Sequence, residues 1–349
     1  MDYLEKKASK DQLKLIYLDI LNGYTVANSK EFGTMYIKHV NLESSGLVDE
    51  HRARNLDKAK EQGLPGREEQ LEYLKKEGLW KSEQEQELRD LDLLMKGLNQ
   101  SKQKVFLQAQ IDYFNQEIEK SEKRYDSLLA ERESLFGYTA ESYAIKKVNE
   151  FYIFLSMYKN KNTKVKYFTQ EEFDEINSEK LIDLVTAYNK ATVFFNSTNL
   201  KRIALSTFFL NYFYLCEDNP FTFFGKPVID LSYHQVELFG HARHFKHALS
   251  NMKGNPPDEL YDAPEKLEEW INSGKNADKM MEKAKAKNKE HGASSIVGAT
   301  TEDLKRLGYT FENNTEVSKT KLSESANNSG KDRLSFEDLI KIHEGKKLK

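Results

Sequence analysis

Between residues 82 and 135, apolar side chains recur at three- and four-residue steps in a background of Glu, Gln, Lys, Arg and Asp. Leu88, Leu91, Met95 and Leu98 make one run; Leu107, Ile111, Phe114, Ile118, Tyr125 and Leu128 make a second, with Ser121 as the polar position in its seam. A stripe of this period has one narrow face to bury, so it lies against another helix. The spacing predicts a long helical hairpin or coiled coil inside a charged insertion at residues 46–135, punctuated by Gly63, Pro65 with Gly66, and Gly78. An intramolecular hairpin and a coiled coil with a partner both satisfy the pattern.

The apolar mass lies instead at residues 136–253, where helices are predicted over 140–158, 179–195, 200–216 and 232–252. Before the insertion, Ser9 and Gln12 have capping-box spacing, Leu13, Ile16, Tyr17, Ile20 and Leu21 share a face, and Gly23 stops the helix. Met35 and Ile37 then alternate with Tyr36 and Lys38, which predicts a strand over 33–40 in a small hairpin with 24–27. Ser82 with Glu85, and Thr169 with Glu172, have capping-box spacing too. After Pro256 and Pro257 the pattern weakens to a short helix from Pro264 through Trp270 and Ile271 and a charged helix over 277–291. Residues 309–333 carry too little apolar surface to offset ordering entropy and are expected to be disordered. A short amphipathic segment follows, with Phe336, Leu339 and Ile340 as docking candidates.

The expected fold is therefore mainly α. An N-terminal helix and β-hairpin (1–45) join an aromatic-rich helical core (136–253), with the charged insertion (46–135), peripheral helices (254–308) and a disordered C-terminal tail with a docking segment (309–349). A chain of 349 residues can bury a sizeable core. Its 53 basic and 56 acidic residues nearly cancel, leaving no field to attract polyanions, so nucleic acid is not an expected partner. The first ten residues lack the pattern of a secretory signal. The most apolar stretch, 203–216, falls short of the roughly 20 residues of a spanning helix, so no membrane role is expected. One cysteine, Cys216, excludes an internal disulfide framework. A cytoplasmic protein is the expectation, with self-association left open.

No catalytic or cofactor motif stands out. His234, Glu237, His241 and His244 fall within a stripe on one helical face, with His247 turned away. Glu237, His241 and His244 are the candidates for a metal ion, but one straight helix commonly offers an ion two ligands, and the spacing misses the helical metalloprotease pattern. Surface or core histidines are the competing reading, and a metal-binding enzyme is carried as an alternative function. Cys216 sits in an apolar run that blunts a thiol, and Gly225-Lys226-Pro227 is a turn without the glycine spacing of a phosphate loop. The aromatic cluster around Pro220 is the stronger signal. Packing accounts for much of it, and Phe208, Tyr212, Phe221, Phe223 and Phe224 are the candidates to line a groove for an amphipathic helix.

Several stretches resemble tail assembly chaperones of tailed bacteriophages and related baseplate assembly factors. They are Tyr36-Ile37-Lys38-His39, residues 137–158 with Asn149-Glu150-Phe151-Tyr152-Ile153, Asn219-Pro220 followed by Phe223-Phe224-Gly225-Lys226-Pro227-Val228, and Ser294-Ser295-Ile296-Val297-Gly298-Ala299-Thr300. They cover a minority of the chain and include no catalytic motif. The resemblance implies a non-enzymatic protein, without cofactor, that keeps a long helical tape-measure protein soluble during tail assembly. A structural virion component of the tail or baseplate is the alternative within the same setting.

Overall fold

The structure, a computed structural model, describes residues 6–252 and 254–288. The tail beyond residue 288, with its docking candidates Phe336, Leu339 and Ile340, lies outside the described residues, as does Ser294 to Thr300. Ser9 closes the first helix as expected: Gln12 N donates to Ser9 Oγ at 3.3 Å and Ser9 N donates to Gln12 Oε1 at 2.8 Å. Helix α1 (Lys10–Asn22) ends at Gly23, whose φ of +76° favours glycine. Strands β1 (Tyr24–Ser29) and β2 (Gly33–Lys38) pair antiparallel, with Met35 and Ile37 turned inward.

The charged region supplies α2 (Leu42–Glu61), α3 (Arg67–Lys76), α4 (Ser82–Lys102) and α5 (Gln108–Phe136). The compositional change at Gly46 falls inside α2, which lies along α6 (Ala140–Ser156). Helices α4 and α5 form an antiparallel hairpin within the chain, joined by Arg132–Glu85 and Arg124–Glu87 ion pairs. The capping box expected at Ser82 and Glu85 does not form. Lys81 N donates to Gln84 Oε1 instead, because Glu85 is occupied by Trp80 Nε1 at 3.0 Å and by Arg132.

The remaining elements are β3 (Met157–Tyr158), α7 (Gln170–Asp174), α8 (Ser178–Thr192), α9 (Ser197–Ala204), α10 (Thr207–Phe213), α11 (Pro220–Phe224), α12 (Tyr233–Ser250) and α13 (Pro264–Asn288). The expected box at Thr169 and Glu172 is present at the start of α7. Four predicted helices are corrected. The one drawn to Tyr158 stops at Ser156, and its last two residues become β3, pairing with β2 as the third strand of the sheet. The one drawn over 200–216 breaks at Leu205. There the Ser206 hydroxyl donates to Arg202 O at 2.7 Å, satisfying a carbonyl at the end of α9, and Ser206 O accepts from Phe209 N to open α10. The two helices drawn after Pro264 are one, α13. Gly274 lies inside this helix, where a Cβ would meet the movable end of the Met252 side chain.

Three clusters of buried side chains organise these elements. The main core joins α1, α9, α10, α12 and α13 through Ile20, Leu200, Ile203, Phe209, Phe213, Leu238, Phe245 and Trp270. A second, around Met35, Ile153, Met157 and Leu184, lies under the sheet against α6 and α8. The third, around Leu74, Trp80, Leu88 and Leu128, binds α3 to the base of the hairpin. The hairpin tip does not project. Phe106 is buried in the main core, Asn276 Nδ2 of α13 donates to Gln103 O at 2.6 Å, and Lys102 pairs with Glu269. Among the described residues no helix is long and apolar enough to cross a membrane.

Candidate functional site

The break at Ser206 decides which aromatics reach solvent. Phe209 and Phe213 enter the core, and after α10 a short 3-10 turn, Tyr214–Cys216, leads into two consecutive non-glycine residues with positive φ, Glu217 at 52° and Asp218 at 60°. Side chains resist that conformation, and it persists where neighbours over-determine it. Here Asp218 Oδ1 receives Lys246 Nζ at 2.9 Å, and the same ammonium lies 5.5 Å from the centre of the Tyr214 ring. On the other side Asn219 Oδ1 accepts from Phe221 N.

Of the five aromatic candidates, Phe208, Phe223 and Phe224 pack on the core. Phe208 is 5.7 Å from Tyr17, Phe223 5.3 Å from Phe209, and Phe224 6.1 Å from Phe239. Tyr212 and Phe221 are exposed, and between them in sequence stand exposed Tyr214 and Leu215, the latter with 79% of its surface open. Four large apolar side chains on three successive elements are thus open to solvent, on either side of a turn with positive φ tied to α12. The Tyr17 hydroxyl, pushed up to about 12 by burial and then by Tyr212, stays neutral beside them. Leu215 was missed because a continuous helix over 200–216 gives no sign that this residue faces out. Cys216 is buried, and its thiol donates to Phe213 O at 2.9 Å, as the apolar reading anticipates.

The histidines separate. His234, near Glu237 at the start of α12, meets His39, which follows β2, with ring centres 5.2 Å apart and nearly perpendicular; Phe195 lies against both. His39 is only 6% exposed. Its Nε2 is 2.8 Å from Thr25 Oγ1; burial pushes the Asp19 carboxyl up, and Thr25 eases that rise. Among the described residues, the Nδ1 atoms of His39 and His234 are both buried without a hydrogen-bond partner. Burial, then His234, then Lys226 lower the His39 pKa to about 3, and burial lowers that of His234. The pair is held neutral, and the nearby Lys226 ammonium disfavours a cation.

Glu237 and His241, one helical turn apart, do come together at 3.4 Å, with Ser197 Oγ 3.4 Å from the same imidazole nitrogen. His244 is exposed beside Phe245 and does not join them. Among the described residues no three His, Cys, Asp or Glu side chains are grouped to hold a metal ion.

Comparison with protein-family models, curated proteins and solved structures finds no match. Among the described residues, Tyr212, Tyr214, Leu215 and Phe221 are exposed apolar side chains, and His39 and His234 are a buried pair of imidazoles.

Proposed function

We propose that the protein is a non-enzymatic binding protein for a helical client, acting as a tail assembly chaperone in a tailed bacteriophage. The observation that carries the binding role is the exposure of Tyr212, Tyr214, Leu215 and Phe221 within ten residues, around a turn of positive φ tied to α12, a set called here the aromatic ridge. Apolar anchors on a rigid base are what an amphipathic helix needs: its apolar face removes them from water, and little ordering entropy is lost by the receptor. The phage setting rests on the sequence resemblance alone. It names a long helical tape-measure protein as the client, held until tail subunits assemble around it.

Affinity capture of the full-length chain from cells expressing its genomic neighbours, beside the protein inventory of purified virions, tests the reading. One long helical protein is expected in the captured fraction, with this chain missing from particles. Retention in particles at fixed stoichiometry would make it a structural tail component. Leu215→Ser with Phe221→Ser is expected to change folding stability by less than about 1 kcal/mol, because both side chains are exposed, and to weaken client capture at least about tenfold. Unchanged capture by a folded double variant would remove the ridge from the mechanism.

A further inference from the structure

We propose that the outer face of α4 docks a basic amphipathic helix of a protein partner. The inference rests on the reading of the chain as a helix-binding protein and assigns it a second surface with a defined charge. Glu83, Gln86, Glu87, Asp90, Leu91 and Leu94 line a groove of about 400 Å³. Their spacing follows the helical repeat, so they form one stripe along three turns of α4. The opposite side of this helix is already used: Leu88 is buried in the small core, and Glu85 meets Arg132 on α5. Leu91 leans on that core, whereas Leu94 is half exposed.

Leu94 gives this stripe its exposed apolar position, with Leu91 at the edge where α4 meets the small core, a place beside the hairpin for one further helix. Charge selects the occupant. Among the described residues, three carboxylates and no basic side chain line the groove. Arg124 neutralises Glu87, but Asp90 is bonded by the Gln86 amide, and among the described residues neither Glu83 nor Asp90 has an ion pair. Glu83 lies in the first turn, where the helix dipole accounts for it; Asp90 is two turns further on, beyond that influence. Acidic residues flanking an apolar seam specify lysine or arginine at the matching positions of the incoming helix. A second copy of α4 would bring carboxylates toward carboxylates, which disfavours self-pairing here.

Fluorescence anisotropy of the full-length protein provides the test, with a labelled amphipathic Leu/Lys peptide of about 20 residues, its Leu/Glu counterpart, and a scrambled Leu/Lys sequence. At about 0.15 M salt the Leu/Lys helix is expected to bind at least roughly tenfold tighter than either control. Leu94→Ser and Asp90→Lys should each weaken it roughly tenfold, and both positions are exposed enough for the fold to survive, which circular dichroism checks. Leu215→Ser should leave it unchanged. Binding insensitive to Leu94→Ser and Asp90→Lys, or no better than the scrambled peptide, overturns the inference. Binding abolished by Leu215→Ser moves the helix to the aromatic ridge, so this inference fails while the helix-binding reading stands. If no helix binds to either surface, both fall. Displacement of the probe by a peptide of residues 329–349, or a dimer abolished by Leu94→Ser, would replace the partner with this chain's own tail or a second copy.

Discussion

Phe106→Ala is expected to lower the unfolding free energy by about 3–4 kcal/mol, the usual cost of emptying a phenylalanine site in a packed core. The size of the effect is unusual for a residue in the connection between two charged helices. It follows because Phe106 is 5% exposed and lies in the main core. Asn276, bonded to Gln103 O and Val105 O, and Lys102 paired with Glu269 hold the tip in place but are more exposed and contribute less. Urea denaturation reads the loss directly, and hydrogen exchange across α4 and α5 localises it. A change below about 1 kcal/mol would mean that the tip is not anchored in solution.

Acid is expected to destabilise the fold through His39. The unfolded imidazole titrates near 6.5 and the folded one at about 3, so between those values the unfolded chain binds more protons. Stability is therefore full above pH 6.5 and falls as the pH drops toward 3. From pH 7 to pH 5 the loss from this one group is about 2 kcal/mol, and by pH 4 about 3 kcal/mol. Every side of the ring opposes the charge except one: His234 comes from α12, Lys226 from the turn after α11, and Phe195 offers only an aromatic edge, whereas Thr25 and Asp19 form the polar side. The lowered pKa of His234 acts in the same direction. His39→Gln should flatten the acid limb by close to one proton while sacrificing some stability at pH 7. An unchanged slope between pH 6.5 and 4.5 would show that His39 is not held neutral.

What the sequence displayed follows from the range of the interactions involved. The hairpin of α4 and α5 was legible because its stripe is a local period, and α1 because Ser9, Gln12 and Gly23 carry their own instructions. The break at Ser206 was not, since a serine inside an apolar run is equally compatible with a continuous helix, and the exposure of Leu215 depends on that break. His39 and His234 are brought together only when the sheet meets α12, a contact no local pattern encodes. For Phe106 a signal was present. Val105-Phe106-Leu107 is an apolar triplet at the turn of a polar arm, where solvent exposure would favour other residues.

Anchorage at both ends turns the hairpin into a strut of fixed length. Its base is bound through Trp80 and Leu128 and its tip through Phe106, with the 21 residues of α4 between them. One residue added to α4 would advance the tip by about 1.5 Å and rotate it by about 100°. Phe106 would then point away from its socket. Even a matched heptad in each arm, which restores the rotation, would overshoot by about 10 Å. Surface substitutions along the strut should be tolerated freely, whereas insertions and deletions should not, so the spacing between its two anchorages is a quantity that selection can hold constant while the sequence between them drifts.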